Sequence, residues 1–284
     1  MRRLIVTDST ADIPEALVEK YGIKVIPITV ILNGKNNRDG VDISRADFYD
    51  GFDDYKEMAT QAIRYEDYGL DFLQMIKKYD EIIIILCSSN LSESYNIAVK
   101  VNKEFNRDGS CRVEVVDSCQ CSMGLGMIVL AAAEATEQGK SCDEVILIVN
   151  KTRKDMNSYM AIPTLKYLRK NKKITGMKAL FGSAMGAKPV LEFSEGGKLE
   201  IKSKLFGNQK NMILSMMDKI KEDVGGRAIN LSIIYAGNRN LVQSLKDVFE
   251  TTFDCHDVYI ARFGPAITIN TGPESYAVFF SAVD

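Results

Sequence analysis

Two rhythms of apolar residues alternate along the chain. Short β-branched runs recur three times in the N-terminal half, and each ends in small hydroxyl or acidic residues before a helical pattern begins. The first is Leu4-Ile5-Val6, then Asp8-Ser9-Thr10, then a helix opening near Pro14 and stopping at Gly22. The second is the run 82–86, then Ser88-Ser89-Asn90, then a helix over 91–103. The third is Val113-Glu114-Val115-Val116, then Asp117-Ser118, then an Ala-rich helix over 124–138, stopped by Gly139. Strands alternating with helices predict a parallel sheet with both faces covered.

Between the first two units, the polar stretch 33–40 reads as a loop, and Ser44 followed by Asp47 as a helix start. A further helix is predicted over 67–78, which leaves 58–64 as a connector facing the strand ends. Beyond residue 149 the pattern changes. The turn Ser194-Glu195-Gly196-Gly197 separates strands at 189–193 and 199–204, as in a hairpin. A helix over 208–223, a strand over 229–235, a helix over 241–252 and strands over 258–262 and 276–282 follow. The expected fold is α/β and two-lobed, with an N-terminal parallel-sheet domain over 1–155 and a mixed α/β domain over 156–284.

Composition narrows the function classes. Hydrophobic residues make up 46% and charged residues 26%, and the formal net charge is −2, so no basic field favours nucleic acid. The longest apolar run is far too short to span a bilayer, and the first residues lack a signal-peptide core. A cytoplasmic protein without stable membrane insertion is expected, with its six cysteines reduced.

Candidate chemistry is sparse. The single histidine, His256, sits between Cys255 and Asp257 on a strand, where neighbours point to opposite faces, so a triad or zinc site is not expected. Cys119-Gln120-Cys121 lacks the spacing of zinc and redox motifs. Gly124-Leu125-Gly126 lacks the third glycine of a dinucleotide fingerprint and reads as tight helix packing. No phosphate-binding P-loop motif occurs. Asp8 and Asp117 end strands, where carboxylates either cap turns or perform acid/base or metal chemistry. The methionines Met177, Met185, Met212, Met216 and Met217 suit a core first and a flexible apolar tunnel second. The strongest feature is Cys87-Ser88-Ser89-Asn90-Leu91-Ser92-Glu93-Ser94-Tyr95, which sets hydroxyls and a helix N-terminus at the end of a strand. That arrangement favours an anion, or else Asn90 caps the helix with Glu93 reciprocating. Without a histidine partner these serines are poorly activated nucleophiles, so binding is favoured over catalysis.

In order along the chain, several segments carry a family resemblance. They are the opening 6–14 signature, the 88–95 segment (similar to S-S-x-L-S-G-T-Y), Val116-Asp117-Ser118 with Ser122-Met123-Gly124, and Pro163-Thr164-Leu165. Lys173-Ile174-Thr175-Gly176, Lys188-Pro189-Val190-Leu191 and Thr271-Gly272-Pro273 follow. Together they resemble the DegV family of fatty-acid-binding proteins. The resemblance implies a two-domain fold enclosing a long-chain fatty acid in an apolar tunnel at the domain interface, with hydroxyls holding its carboxylate. It also implies presentation of that acid to a separate fatty acid kinase, the carrier itself performing no chemistry and needing no cofactor or metal.

Carried over to this chain, the ligand-binding residues are Thr60, Ser88, Ser89, Ser92 and Asn270. The chain departs from the family at Ala59-Thr60-Gln61-Ala62-Ile63, where T-S-Q-P-S is usual, and at Asn270, where the family has histidine. Two other functions stay open at this stage: an enzyme acting on an acyl or phosphoryl substrate in the cleft, and a regulatory protein that no longer binds lipid.

Overall fold

A computed structural model describes residues 2–171, 173, 188–207, 209–237 and 239–283. Met177, Met185 and Ile174-Thr175-Gly176, named above, lie outside the described residues. The chain divides into two compact units. The first comprises Met1–Lys154, Glu195–Lys198 and Gly264–Ala266, and the second Asp155–Ser194, Leu199–Phe263 and Ile267–Asp284.

The first unit runs β1 (Arg3–Asp8), α1 (Glu15–Tyr21), β2 (Lys24–Ile26), β3 (Thr29–Leu32), β4 (Lys35–Arg38), α2 (Arg45–Asp50), β5 (Met58–Gln61) and α3 (Tyr65–Lys78). It continues with β6 (Glu81–Leu86), α4 (Ser94–Phe105), β7 (Arg112–Asp117), α5 (Ser122–Glu137) and α6 (Cys142–Asp155). The predicted parallel sheet is present in the order β2-β1-β6-β7. Every residue of β6 is buried, because its Ile-rich run lies between covered faces; α3 packs with α4 and α5 with α1. Gly126 shows why α5 carries a glycine: an added Cβ would stand 2.6 Å from the Ala11 carbonyl oxygen.

The stretch 33–40 is not a simple loop. Asn33 and Gly34, at φ 48° and 80°, turn β3 back into β4, and β5 pairs on the other side of β3, giving an antiparallel sheet in the order β4-β3-β5. Hence 58–61 is a strand rather than a connector. Lys35-Asn36-Asn37-Arg38 hides its strand character because it lies at the sheet edge with only Asn37 buried.

The second unit comprises β8 (Asn157–Ala161), α7 (Lys166–Lys170), β9 (Lys188–Phe193), β10 (Leu199–Leu205), α8 (Gln209–Val224) and β11 (Ile229–Tyr235). It ends with α9 (Arg239–Thr252), β12 (Cys255–Arg262), α10 (Pro265–Thr271) and β13 (Tyr276–Ala282). Its sheet, β10-β9-β8-β13-β11-β12, is mixed: β11 and β12 run parallel and the other pairs antiparallel, with β9 and β10 the expected hairpin. Met212, Met216 and Met217 lie in its core with Phe249, Val278 and Phe280.

Candidate functional site

In the parallel sheet the chain winds outward on one side from β1 to β2 and on the other from β6 to β7. The order therefore reverses between β1 and β6, and the carboxyl ends of that strand pair are where open α/β sheets place ligands. Asp8 closes β1 there. Its Oδ2 accepts the Cys87 N–H at 3.0 Å, and its Oδ1 accepts the Thr10 N–H at 2.9 Å and the Thr10 hydroxyl. Asp117 closes β7 and accepts the N–H groups of Cys119, at 2.9 Å, and Ser89, at 3.2 Å. Both carboxylates organise turns, and among the described residues no group of three His, Cys, Asp or Glu side chains is placed to hold a metal ion.

The serine-rich segment after β6 divides into two pairs. Ser88 is fully buried, and its hydroxyl donates to the Gly197 carbonyl at 2.7 Å while accepting the Asn90 N–H at 3.2 Å. The donor proposed for a ligand is thus engaged by the turn at 195–198. Asn90 does not cap α4; its Nδ2 donates to the Gly196 carbonyl at 2.7 Å, and α4 begins only at Ser94 without a side-chain cap. Ser89, half-buried, is oriented through its backbone by Asp117.

Ser92 and Ser94 form the second pair. Ser94 is buried, its Oγ accepts the Ile63 N–H at 3.3 Å, and that Oγ lies 2.9 Å from Ser92 Oγ. A buried hydroxyl left without an acceptor is costly, so Ser94 donates to Ser92. Ser92 Oγ also accepts the Ser94 N–H at 3.3 Å, which fills its lone pairs and directs its own proton away from the pair. The bond from the Ile63 N–H ties the end of the stretch after β5 to the start of α4. Thr60 is half-buried on β5, opposite Val30.

Asn270 is half-buried in α10 of the second unit. The turn after it is fixed by Gly272 N–H donating to the Thr268 carbonyl at 2.7 Å and by the Ser275 hydroxyl donating to the Thr271 carbonyl at 2.7 Å. His256, also in the second unit, is exposed, and its Nδ1 lies 2.9 Å from the Asp257 carboxylate. The two neighbours therefore do meet, contrary to the strict alternation expected of a strand, but on an exposed surface. The six cysteines are free thiols. No helix among the described residues is long and apolar enough to cross a membrane.

Sequence reasoning missed Ser94 as the residue that orients Ser92, and missed Gly196 and Gly197 as the partners of Asn90 and Ser88. Only the turn composition at 194–197 hinted at a glycine requirement.

A mixed-sheet unit joined to a parallel-sheet unit whose hydroxyls cluster at the strand ends defines a two-unit α/β class with its polar groups suited to binding. A profile of the DegV family, described as an uncharacterised protein family, matches residues 3–283, and the chain belongs to that family. A DegV domain-containing protein of Caldanaerobacter subterraneus is 29% identical over 278 residues, covering 97% of each chain. Among solved structures, a Thermus thermophilus DegV family protein described as binding fatty acid superposes with a TM-score of 0.87 at 28% identity, covering 100% of both chains. A Thermotoga maritima protein described as revealing a fatty acid binding function superposes at 0.87 and 25% identity, again covering 100% of both.

Proposed function

We propose that the chain is a carrier of a long-chain fatty acid rather than an enzyme, and that Thr60 and Ser92 hold its carboxylate. The observation that carries this reading is the Ser92–Ser94 hydroxyl pair, 2.9 Å apart, which with Ser94 as donor leaves the Ser92 proton for a ligand at the end of the serine-rich segment, next to the Ile63 contact that follows Thr60 in the chain. The likeness to two proteins described as binding fatty acids supports it. Ser89 supplies a further polar group, and Ser88 acts by fixing the segment's backbone.

The tail supplies most of the affinity. Burial is worth about 0.8 kcal/mol per methylene, on the order of 10 kcal/mol for a palmitate-sized chain before association costs. Each charge-assisted hydrogen bond to the head group adds roughly 1.5–3 kcal/mol. We further infer that the bound acid is presented in the cytoplasm to a separate fatty acid kinase. A carrier of this kind leaves the acid unmodified on its own, which suits serines with no histidine base among their described partners.

Thr60→Val tests the head-group assignment, because it removes the donor and keeps the branched shape. Palmitate affinity, measured by fluorescence displacement, should fall about tenfold to a hundredfold. Affinity for the fatty alcohol of equal length should barely change. Equal losses for acid and alcohol would reduce Thr60 to a wall residue, against the assignment.

A further inference from the structure

The lipid-binding reading leaves a buried acidic cluster unused. Asp12 Oδ1 accepts the Gly264 N–H at 2.7 Å, immediately before α10, and its Oδ2 accepts the Ser122 hydroxyl at 2.7 Å. Arg45 Nη2 stands 3.6 Å from Asp12 Oδ1. Asp39 receives the Ser9 hydroxyl and the Ala266 backbone N–H, yet its buried Oδ2 has no hydrogen-bond partner. Asp8 lies close enough to act on Asp12 electrostatically. A cavity of about 180 Å³, lined in part by Asp8, Asp12, Asp39 and Arg45, adjoins these groups. The fit at the helix start is close: a Cβ on Gly264 would come within 2.8 Å of Asp12 Oδ1.

Charge in this cluster does not balance. Among the described residues, the end of β1 contributes Asp8, the turn after it Asp12, the turn after β4 Asp39 and α2 Arg45. The start of α5 gives only the Ser122 hydroxyl, and the start of α10 only backbone amides. Three buried carboxylates thus face one guanidinium, whose side chain is 36% exposed. An unpaired buried charge is strongly disfavoured, so the closed arrangement favours the protonated form of a carboxyl.

We propose that Asp12 and Asp39 form a proton-held clasp on the start of α10, which keeps a proton while closed and releases it when the helix start detaches. Resting on the head-group reading above, the clasp holds the helix start to the turns after β1 and β4 within the first unit and makes ligand binding weaken as the pH rises. Burial pushes the Asp39 carboxyl up to about 7 and that of Asp12 up to about 6, with Arg45 opposing both shifts. These values lie above those of a solvated carboxylate, so the closed clasp binds more protons than the open one. Its contribution is full below about pH 4 and is lost as the pH rises through 6 to 7.

Hydrogen–deuterium exchange of the 264–271 segment tests this in the full-length, lipid-free protein. After correction for intrinsic rates, exchange should accelerate by up to about a hundredfold per pH unit between pH 5 and 6, where both carboxyls lose their protons on opening, by up to about tenfold per unit between pH 6 and 7, and level off above. Asp39→Asn, neutral at every pH and nearly the same shape, should flatten the rise between pH 6 and 7. Equal slopes in the two proteins would overturn the clasp. Carboxyl carbon NMR of the wild-type protein gives a second readout should the variant misfold, and titration of both Asp12 and Asp39 below pH 5 would also overturn it. Palmitate affinity, followed in parallel, should fall over the same interval. Absence of palmitate binding at every pH with the exchange slope intact would instead count against the lipid reading and leave the clasp standing.

Discussion

Gly197→Ala should destabilise the protein by about 2–5 kcal/mol in urea unfolding. Gly197 sits at φ +76°, where a side chain costs roughly 1–2 kcal/mol, and an added Cβ would lie 2.4 Å from Ser88 Oγ and 2.8 Å from the Cys119 backbone. Forcing atoms into such a site costs about 1–3 kcal/mol more. Undocking of the turn offers little relief. The Ser88 hydroxyl, fully buried, would lose the Gly197 carbonyl it donates to, at about 1–3 kcal/mol, and Asn90 would lose Gly196. Gly196→Ala provides the control, since nothing lies within 4 Å of its added Cβ, and a change under about 0.5 kcal/mol is expected. Equal effects at the two positions would mean that the turn is not docked on Ser88.

The second large effect is on binding. Removing both proposed donors in Thr60→Val/Ser92→Ala should cost palmitate more than either single change, about 3 kcal/mol or roughly a hundredfold in affinity. The two hydroxyls serve one carboxylate, so the losses need not add, and the combined loss falls between the larger single effect and the sum. Ser94→Ala in an otherwise wild-type chain separates orientation from contact. It removes the hydroxyl that donates to Ser92, leaving the Ser92 proton free to turn back, and should weaken palmitate binding less than Ser92→Ala does. Affinity in the double variant within threefold of wild type would place the carboxylate elsewhere.

How much of this was legible depended on where each residue's partner lies in the sequence. The Ile-rich run that became β6 announces a buried strand, because both its faces are covered and every position is apolar. The hairpin of β9 and β10 was equally plain from its turn. The strand β4 was not, since Lys35-Asn36-Asn37-Arg38 lies at a sheet edge and carries no apolar alternation; the Asn33-Gly34 turn signal before it was the available clue. The candidate site was half visible. Ser88, Ser89 and Ser92 look alike in sequence, but Ser88 is committed to a carbonyl 109 residues away, and Ser92 is set apart only by the burial of Ser94. Asp12 lay in the opening segment as one more turn residue. Its role depends on Gly264, 252 residues on, a pairing that no local pattern encodes.

The most direct test of the carrier reading is mass spectrometry of an organic extract of the full-length protein, purified without added lipid. A long-chain fatty acid should be recovered as the free acid at close to one molecule per chain, with occupancy reduced in Thr60→Val/Ser92→Ala. A protein that emerges without acyl chains and does not bind palmitate when it is supplied would contradict that central claim.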